Sequence, residues 1–93
     1  MPAPANNNIR MIIRAEIFEI IKNDLTIGRG YRGLPALSEN EIRRFCNENT
    51  AGIEQVITEM IQDYTEDGEL DQLLYPQPFW IYEYLYDVVD TQI

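Results

Sequence analysis

Between residues 53 and 64 an apolar side chain returns at every helical turn: Ile53, Val56, Ile57, Met60, Ile61 and Tyr64. The spacing i, i+3, i+4, i+7, i+8, i+11 puts all six on one stripe of an α-helix. Glu54, Gln55, Thr58, Glu59, Gln62 and Asp63 fill the other face. A helix of this kind, spanning about Thr50–Thr65, is stable only when its stripe is covered, so the chain must supply further elements to pack on it. Gly68 is the expected C-terminal stop.

Two more helices answer that requirement. From about Ile9 to Asp24, Ile9, Ile13, Ile17, Ile20 and Ile21 recur at helical spacing. Met11, Ile12 and Phe18 widen the apolar surface beyond one stripe, which suits a central helix or a dimer interface. Asn8 is placed to cap its start. The next helix opens with Ser38-Glu39-Asn40-Glu41, a capping box in which the Ser38 hydroxyl accepts from the Glu41 N–H while the Glu41 carboxylate accepts from the Ser38 N–H. Leu37 and Ile42 form a hydrophobic staple around it, and two acids in the first turn suit the helix dipole. Ile42, Phe45 and Cys46 are its inward face, so Cys46 reads as a small core residue rather than a reactive thiol.

The connections are less regular. Leu25 to Leu37 reads as a loop, with a short strand at Leu25-Thr26-Ile27 and three glycines in Gly28-Arg29-Gly30-Tyr31-Arg32-Gly33. The glycine spacing fits neither a P-loop nor a dinucleotide fingerprint. Arg29, Tyr31 and Arg32 are candidates for contacting anionic groups. In the tail, Pro76-Gln77-Pro78 breaks the chain. Six of the ten aromatic residues fall between Tyr75 and Tyr86. With period two, Trp80, Tyr82, Tyr84 and Tyr86 share a strand face; with period 3.6, Ile81, Leu85, Val88 and Val89 share a helix face with Pro78 in the first turn. The helix is preferred, because no turn signal interrupts Asp87–Asp90. The aromatic cluster can close the core or serve as an interface hot spot.

Composition narrows the chemistry. There is no histidine, one cysteine (Cys46) and one serine, Ser38, already used as a cap. That excludes histidine-assisted nucleophilic catalysis, an internal disulfide framework and a structural Cys/His zinc site. No carboxylate pair stands out by its spacing. The expectation is a protein that is not an enzyme, with no catalytic residues, metal or cofactor. Length suits one domain, 9–93, behind a short lead-in, 1–8. The lead-in has no basic stretch followed by an apolar one, and no apolar run is long enough to span a bilayer, so the expected location is the cytoplasm.

Charge is unevenly spread. The net charge is −9. Residues 1–44 hold all seven basic side chains and five acids, +2, whereas residues 45–93 hold eleven acids and no base, −11. An acidic face keeps a small protein soluble, and it also suits a basic partner or head-to-tail pairing of subunits.

The stretch Ser38–Leu70 resembles the core of a winged helix-turn-helix domain: a capped helix Glu39–Glu48, the turn Asn47-Glu48-Asn49-Thr50, a longer helix through Ile53–Ile61 and a closing Glu66-Asp67-Gly68-Glu69-Leu70. The resemblance covers about a third of the chain well and most of it loosely. It implies a mainly α fold of three to four helices with Ile9–Asp24 as the preceding helix and Leu25–Ile27 as a first strand. It also implies a short C-terminal β-hairpin wing, Leu70–Tyr75 and Phe79–Tyr84, with Pro76-Gln77-Pro78 at its tip. Here the chain departs from DNA-reading members, whose second motif helix enters the major groove. In this chain that helix carries Glu54, Glu59 and Asp63 and no Lys or Arg, so a phosphate backbone would repel it. Direct nucleic-acid binding would have to use Arg10, Arg14, Arg29, Arg32, Arg43 and Arg44.

The resulting expectation is a non-catalytic, acidic, regulatory protein-interaction module that self-associates, as a homodimer, and docks to a protein partner. Arg29, Tyr31, Arg32, Arg43 and Arg44 are the candidate anionic-contact residues, and Trp80, Tyr82 and Tyr84 the candidate aromatic ones. Two alternatives accompany it: an inhibitor that mimics nucleic acid and occupies a basic groove, of the kind small phage proteins provide, and a DNA-binding regulator that uses the arginines of the first half.

Overall fold

A computed structural model describes residues 6–92. Four helices carry the fold. The first, α1 (Asn6–Asn23), passes without a break into a π-helical turn (Asp24–Gly28) and a last α-helical turn (Arg29–Tyr31). Then follow α2 (Glu39–Glu48), α3 (Thr50–Glu66), a 3₁₀ turn (Leu70–Leu74) and α4 (Pro78–Val88). No strand occurs among the described residues. The mainly α expectation therefore stands, and the β elements do not: Leu25–Ile27 lies in the π turn, Leu70–Leu74 is a 3₁₀ turn, and Phe79–Tyr84 lies inside α4.

Packing explains each difference. Ile9, Ile13, Ile17 and Ile21 are fully buried, and Leu25 continues the same stripe with no exposure. The helix keeps going because its next core contact lies one turn further on. From Asp24 to Gly28 the helix widens to π geometry, and its end tightens again with the Arg29 N–H on Thr26 O, while the Leu25 carbonyl accepts the Leu37 N–H at 3.0 Å. The Thr26 hydroxyl donates back to Lys22 O at 2.7 Å, a local bond that competes with regular helix geometry. A one-turn π segment thus frees a carbonyl that pins the returning loop. Gly33, at φ +74°, ends the helix in a Schellman motif, with Leu34 N–H on Arg29 O (2.9 Å) and Gly33 N–H on Gly30 O (3.0 Å). Residues read as a glycine-rich loop are helical as far as Tyr31. At the other end Asn8 lies inside α1 rather than capping it, and Asn6–Asn8 of the expected lead-in are helical. Met1–Ala5 lie outside the described residues.

The capping box forms: Ser38 N–H donates to Glu41 Oε1 at 3.0 Å and Glu41 N–H to Ser38 Oγ at 3.2 Å. These bonds hold the Glu41 carboxyl below the usual carboxylate range, with smaller contributions from Arg44 and Arg29. Leu37 packs against the core beside buried Ile42, completing the staple. A second Schellman motif closes α3 at Gly68 (φ +72°), with Glu69 N–H on Tyr64 O at 2.8 Å.

The core is one cluster. Ile53, Val56, Ile57, Met60 and Ile61 of α3 face the α1 isoleucines, and Leu73, Ile81, Leu85 and Val89 close it. Leu73, fully buried, is why the 3₁₀ turn folds onto the α1–α3 pair instead of extending as a wing. Pro78 stands at the start of α4, where its missing N–H costs nothing. An ion-pair clasp fixes α1 against α3: Arg14 grips Glu54 through two bonds, Nε to Oε2 at 3.0 Å and a terminal nitrogen to Oε1 at 2.7 Å. Arg10 adds a bond to Glu54 at 3.4 Å and one to Thr58 at 3.2 Å. The Arg14 hydrogen bond, then its charge and Arg10, pulls the Glu54 carboxyl below its usual range.

Candidate interaction surface

Helix α4 carries apolar residues on two faces. Ile81 and Leu85 are buried, and Val88 packs beside them, as a one-sided helix requires. On another side of the helix Phe79, Tyr82 and Tyr86 follow i, i+3, i+7, with Glu83 and Asp87 along one edge of them at i+4 and i+8. This is the spacing of a second stripe, and it faces water: Phe79 is 63% exposed, Tyr82 36% and Tyr86 49%. Tyr75, just before the helix, is 82% exposed. The rings of Tyr82 and Tyr86 stack, with centroids 5.5 Å apart and planes 19° apart, so the pair is held as one unit.

Two anchors fix the C-terminal end of this stripe. Asp24 Oδ2, on the π turn, accepts the Tyr86 hydroxyl at 2.9 Å and the Thr91 hydroxyl at 3.0 Å. Partial burial, then the bond to Asp24, raises the Tyr86 phenol well above the ordinary tyrosine range. Residues 88–91 run close over the first turn of α3. A Cβ on Gly52 would lie 3.2 Å from Val89 Cγ2 and 3.3 Å from the Val88 carbonyl, which is why the chain passes there over a glycine. Beside these anchors opens a cleft of about 410 Å³ lined by Asp24, Arg32, Tyr86, Asp90, Thr91 and Gln92.

The residues singled out from sequence fall into three groups. Trp80 and Tyr84 do not share a surface with Tyr82. They lie on the flank of α4 that meets α3, Trp80 with its centroid 6.1 Å from that of Tyr64 and Tyr84 donating to Asp63 Oδ2 at 2.8 Å. Partial burial and that bond raise the Tyr84 phenol. Both are half-buried and hold α4 in place. Tyr82 belongs to the outer stripe, along with Phe79 and Tyr86, which sequence reasoning passed over. The signal was present: 79, 82 and 86 are helically spaced and fall on a side of the helix other than that of Ile81 and Leu85. The arginines also divide. Arg29 donates from Nε to Pro35 O at 2.7 Å, fastening the loop after α1, and is committed to the fold. Arg43 pairs with Glu39 at 3.0 Å, one turn earlier on α2. Arg32 and Arg44 are exposed, as is Tyr31 at 88%. Arg32 alone of these five borders the cleft beside Tyr86.

Among the described residues no group of three or more His, Cys, Asp or Glu side chains is arranged to hold a metal ion. No helix there is long and apolar enough to cross a membrane. Cys46 is half-buried in a groove between α1, α2 and α3, and burial raises its thiol, which disfavours the nucleophilic thiolate. Neither a protein-family model, nor a curated protein, nor a solved structure matches the chain.

Proposed function

We propose that this chain is a non-catalytic, regulatory protein-interaction module that works through the outer face of α4. The observation that carries the reading is the second aromatic stripe. At about 200 Å² of surface per ring, Phe79, Tyr82 and Tyr86 leave on the order of 300 Å² in water, the size at which the largest apolar patch of a small protein is often functional. A chain that needed these rings only for its core would not turn them outward, and stacked tyrosines with one hydroxyl anchored are pre-ordered for contact. The ground for self-association through α1 is reduced, because Ile9, Ile13, Ile17, Ile20 and Ile21 are buried within one chain, leaving Ile12 partly and Met11 largely exposed.

The winged helix-turn-helix reading rests on the sequence resemblance, and no wing forms among the described residues. The DNA-binding reading loses support, since Arg10, Arg14 and Arg29 are occupied inside the fold. Mimicry of nucleic acid keeps one specific observation in its favour: of the eleven carboxylates between Glu48 and Asp90, only Glu54 forms an ion pair among the described residues.

Affinity capture from the native host, run with the wild-type chain and with Phe79→Ser/Tyr82→Ser, tests the reading. The expected result is a stoichiometric partner that the variant loses while its circular dichroism stays helical. Identical capture by both chains would reject the α4 face as the working surface.

A further inference from the structure

The stripe on α4 is aromatic and acidic together, and that combination selects among possible occupants. Resting on the interaction-module reading, we propose that the outer face of α4 binds a basic amphipathic helical segment of a partner protein. The apolar side of the segment covers Phe79, Tyr82 and Tyr86, and its Lys and Arg side chains meet Glu83 and Asp87.

Four observations lead there. First, Glu83 and Asp87 are exposed along one edge of the ring stripe, Glu83 next to Phe79 and Tyr86 and Asp87 one turn on, and have no cation paired to them among the described residues. An uncharged partner covering the rings would strip water from both carboxylates and return nothing, whereas guanidinium or ammonium groups would satisfy them. Second, a second copy of this chain is the wrong occupant. Two-fold pairing would bring this acidic-edged face against itself, and head-to-tail pairing would have to set it on the few exposed arginines of a molecule that also carries −9. Third, the stacked Tyr82–Tyr86 pair offers ring faces next to carboxylates, the setting in which arginine stacks well. Fourth, α4 runs for 11 residues, about 16 Å, with one side exposed from Phe79 to Asp87, which matches three turns of a partner helix laid along it. Arg32, across the cleft from Tyr86, sets the limit of the basic stretch at the C-terminal end of the helix. A nucleic acid is excluded from the same face by its own phosphates.

The probe is a synthetic amphipathic helical peptide with leucines on one side and arginines flanking them, labelled for fluorescence anisotropy. Its two counterparts replace the arginines by glutamates, or the leucines by serines. The expected result is saturable binding of the arginine–leucine peptide and binding at least about tenfold weaker for both counterparts. On the protein side, Glu83→Lys/Asp87→Lys and Phe79→Ser/Tyr82→Ser should each weaken the first peptide by about tenfold or more. Glu19→Lys/Glu48→Lys changes net charge by the same amount at exposed positions on α1 and α2, and should leave it within about twofold. Circular dichroism confirms that each variant is folded. Equal loss from both charge-reversed pairs would overturn the proposal in favour of diffuse attraction. Equal binding of the glutamate peptide, lost in Phe79→Ser/Tyr82→Ser, would overturn the basic partner while leaving the interaction module standing. A dimer by light scattering that the same aromatic variant abolishes would assign the face to a second copy. No binding of the arginine–leucine peptide would also overturn it.

Discussion

Single residues whose roles are local could be read from sequence most directly. Ser38 and Glu41 make both bonds of the capping box because partners three residues apart need no tertiary help. Gly68 stops α3 because a left-handed residue is needed there. Gly68→Ala should destabilise the chain by about 1 kcal/mol, the cost of a Cβ in that conformation; a denaturant midpoint unchanged from wild type would contradict this. Glu54 was read as part of a solvent face. Its partners Arg10 and Arg14 lie 44 and 40 positions away, and no local pattern announces a pair so distant. The clasp has a pH signature. A carboxylate whose native pKa is depressed adds stability that is fully present above the unfolded value and is lost as pH falls through the lowered native one. Stability to urea should therefore decline from about pH 4.5 downward. Glu54→Gln should make that decline shallower without removing it, because Glu41 is depressed as well. Identical acid slopes in wild type and variant would show that the clasp contributes nothing.

At the scale of elements, the helices with clean 3.6-residue periodicity appear within a residue of their expected limits: α2 over Glu39–Glu48 and α3 over Thr50–Glu66. The end of α1 was hidden. Gly28, Gly30 and Gly33 argue for a loop by propensity, but buried Leu25, the Leu37–Leu25 backbone bond and the Arg29–Pro35 bond outweigh that preference, and only Gly33 uses the freedom that glycine gives. For α4 the alternation of Trp80, Tyr82, Tyr84 and Tyr86 mimics a strand. The helix wins because Ile81 and Leu85 reach the core together while the aromatics divide between two flanks. Only the outer flank is free to contact a partner, which is why a list chosen for aromaticity mixed Trp80 and Tyr84 with Tyr82. The π turn at the end of α1 and the end of α4 are joined through Asp24. Asp24→Ala should release Thr91 and Tyr86 together and cost about 1.5–3 kcal/mol, the range for hydrogen bonds to a charged group. Hydrogen exchange should then show faster exchange at Val89–Gln92 with α3 unaffected. Unchanged exchange there would mean that Gly52–Val89 packing alone holds the segment.

The molecule as a whole is elongated, 50 × 21 × 19 Å, with a radius of gyration of 14.1 Å against about 12 Å for a compact chain of this length. The length comes from α1 and its continuation. Charge is divided as well: four of the seven cations of the first half are engaged with Glu54, Glu39 and the loop carbonyl of Pro35, whereas the carboxylates of α3 and α4 other than Glu54 have no cation paired to them among the described residues. The charge asymmetry was visible in composition, but which charges are spent inside the fold was not, since that depends on α1 lying along α3. The account depends on the outer side of α4, and neither the arginines of α2 nor the acidic side of α3, being the surface that meets a partner. Backbone amide chemical-shift mapping, with the arginine–leucine peptide added to the isotopically labelled chain, addresses that most directly. The account predicts shifts concentrated at Phe79–Asp90, reaching Asp24 and Arg32. Shifts centred on Arg43 and Arg44, or on Glu59–Glu66, with α4 silent, would contradict it.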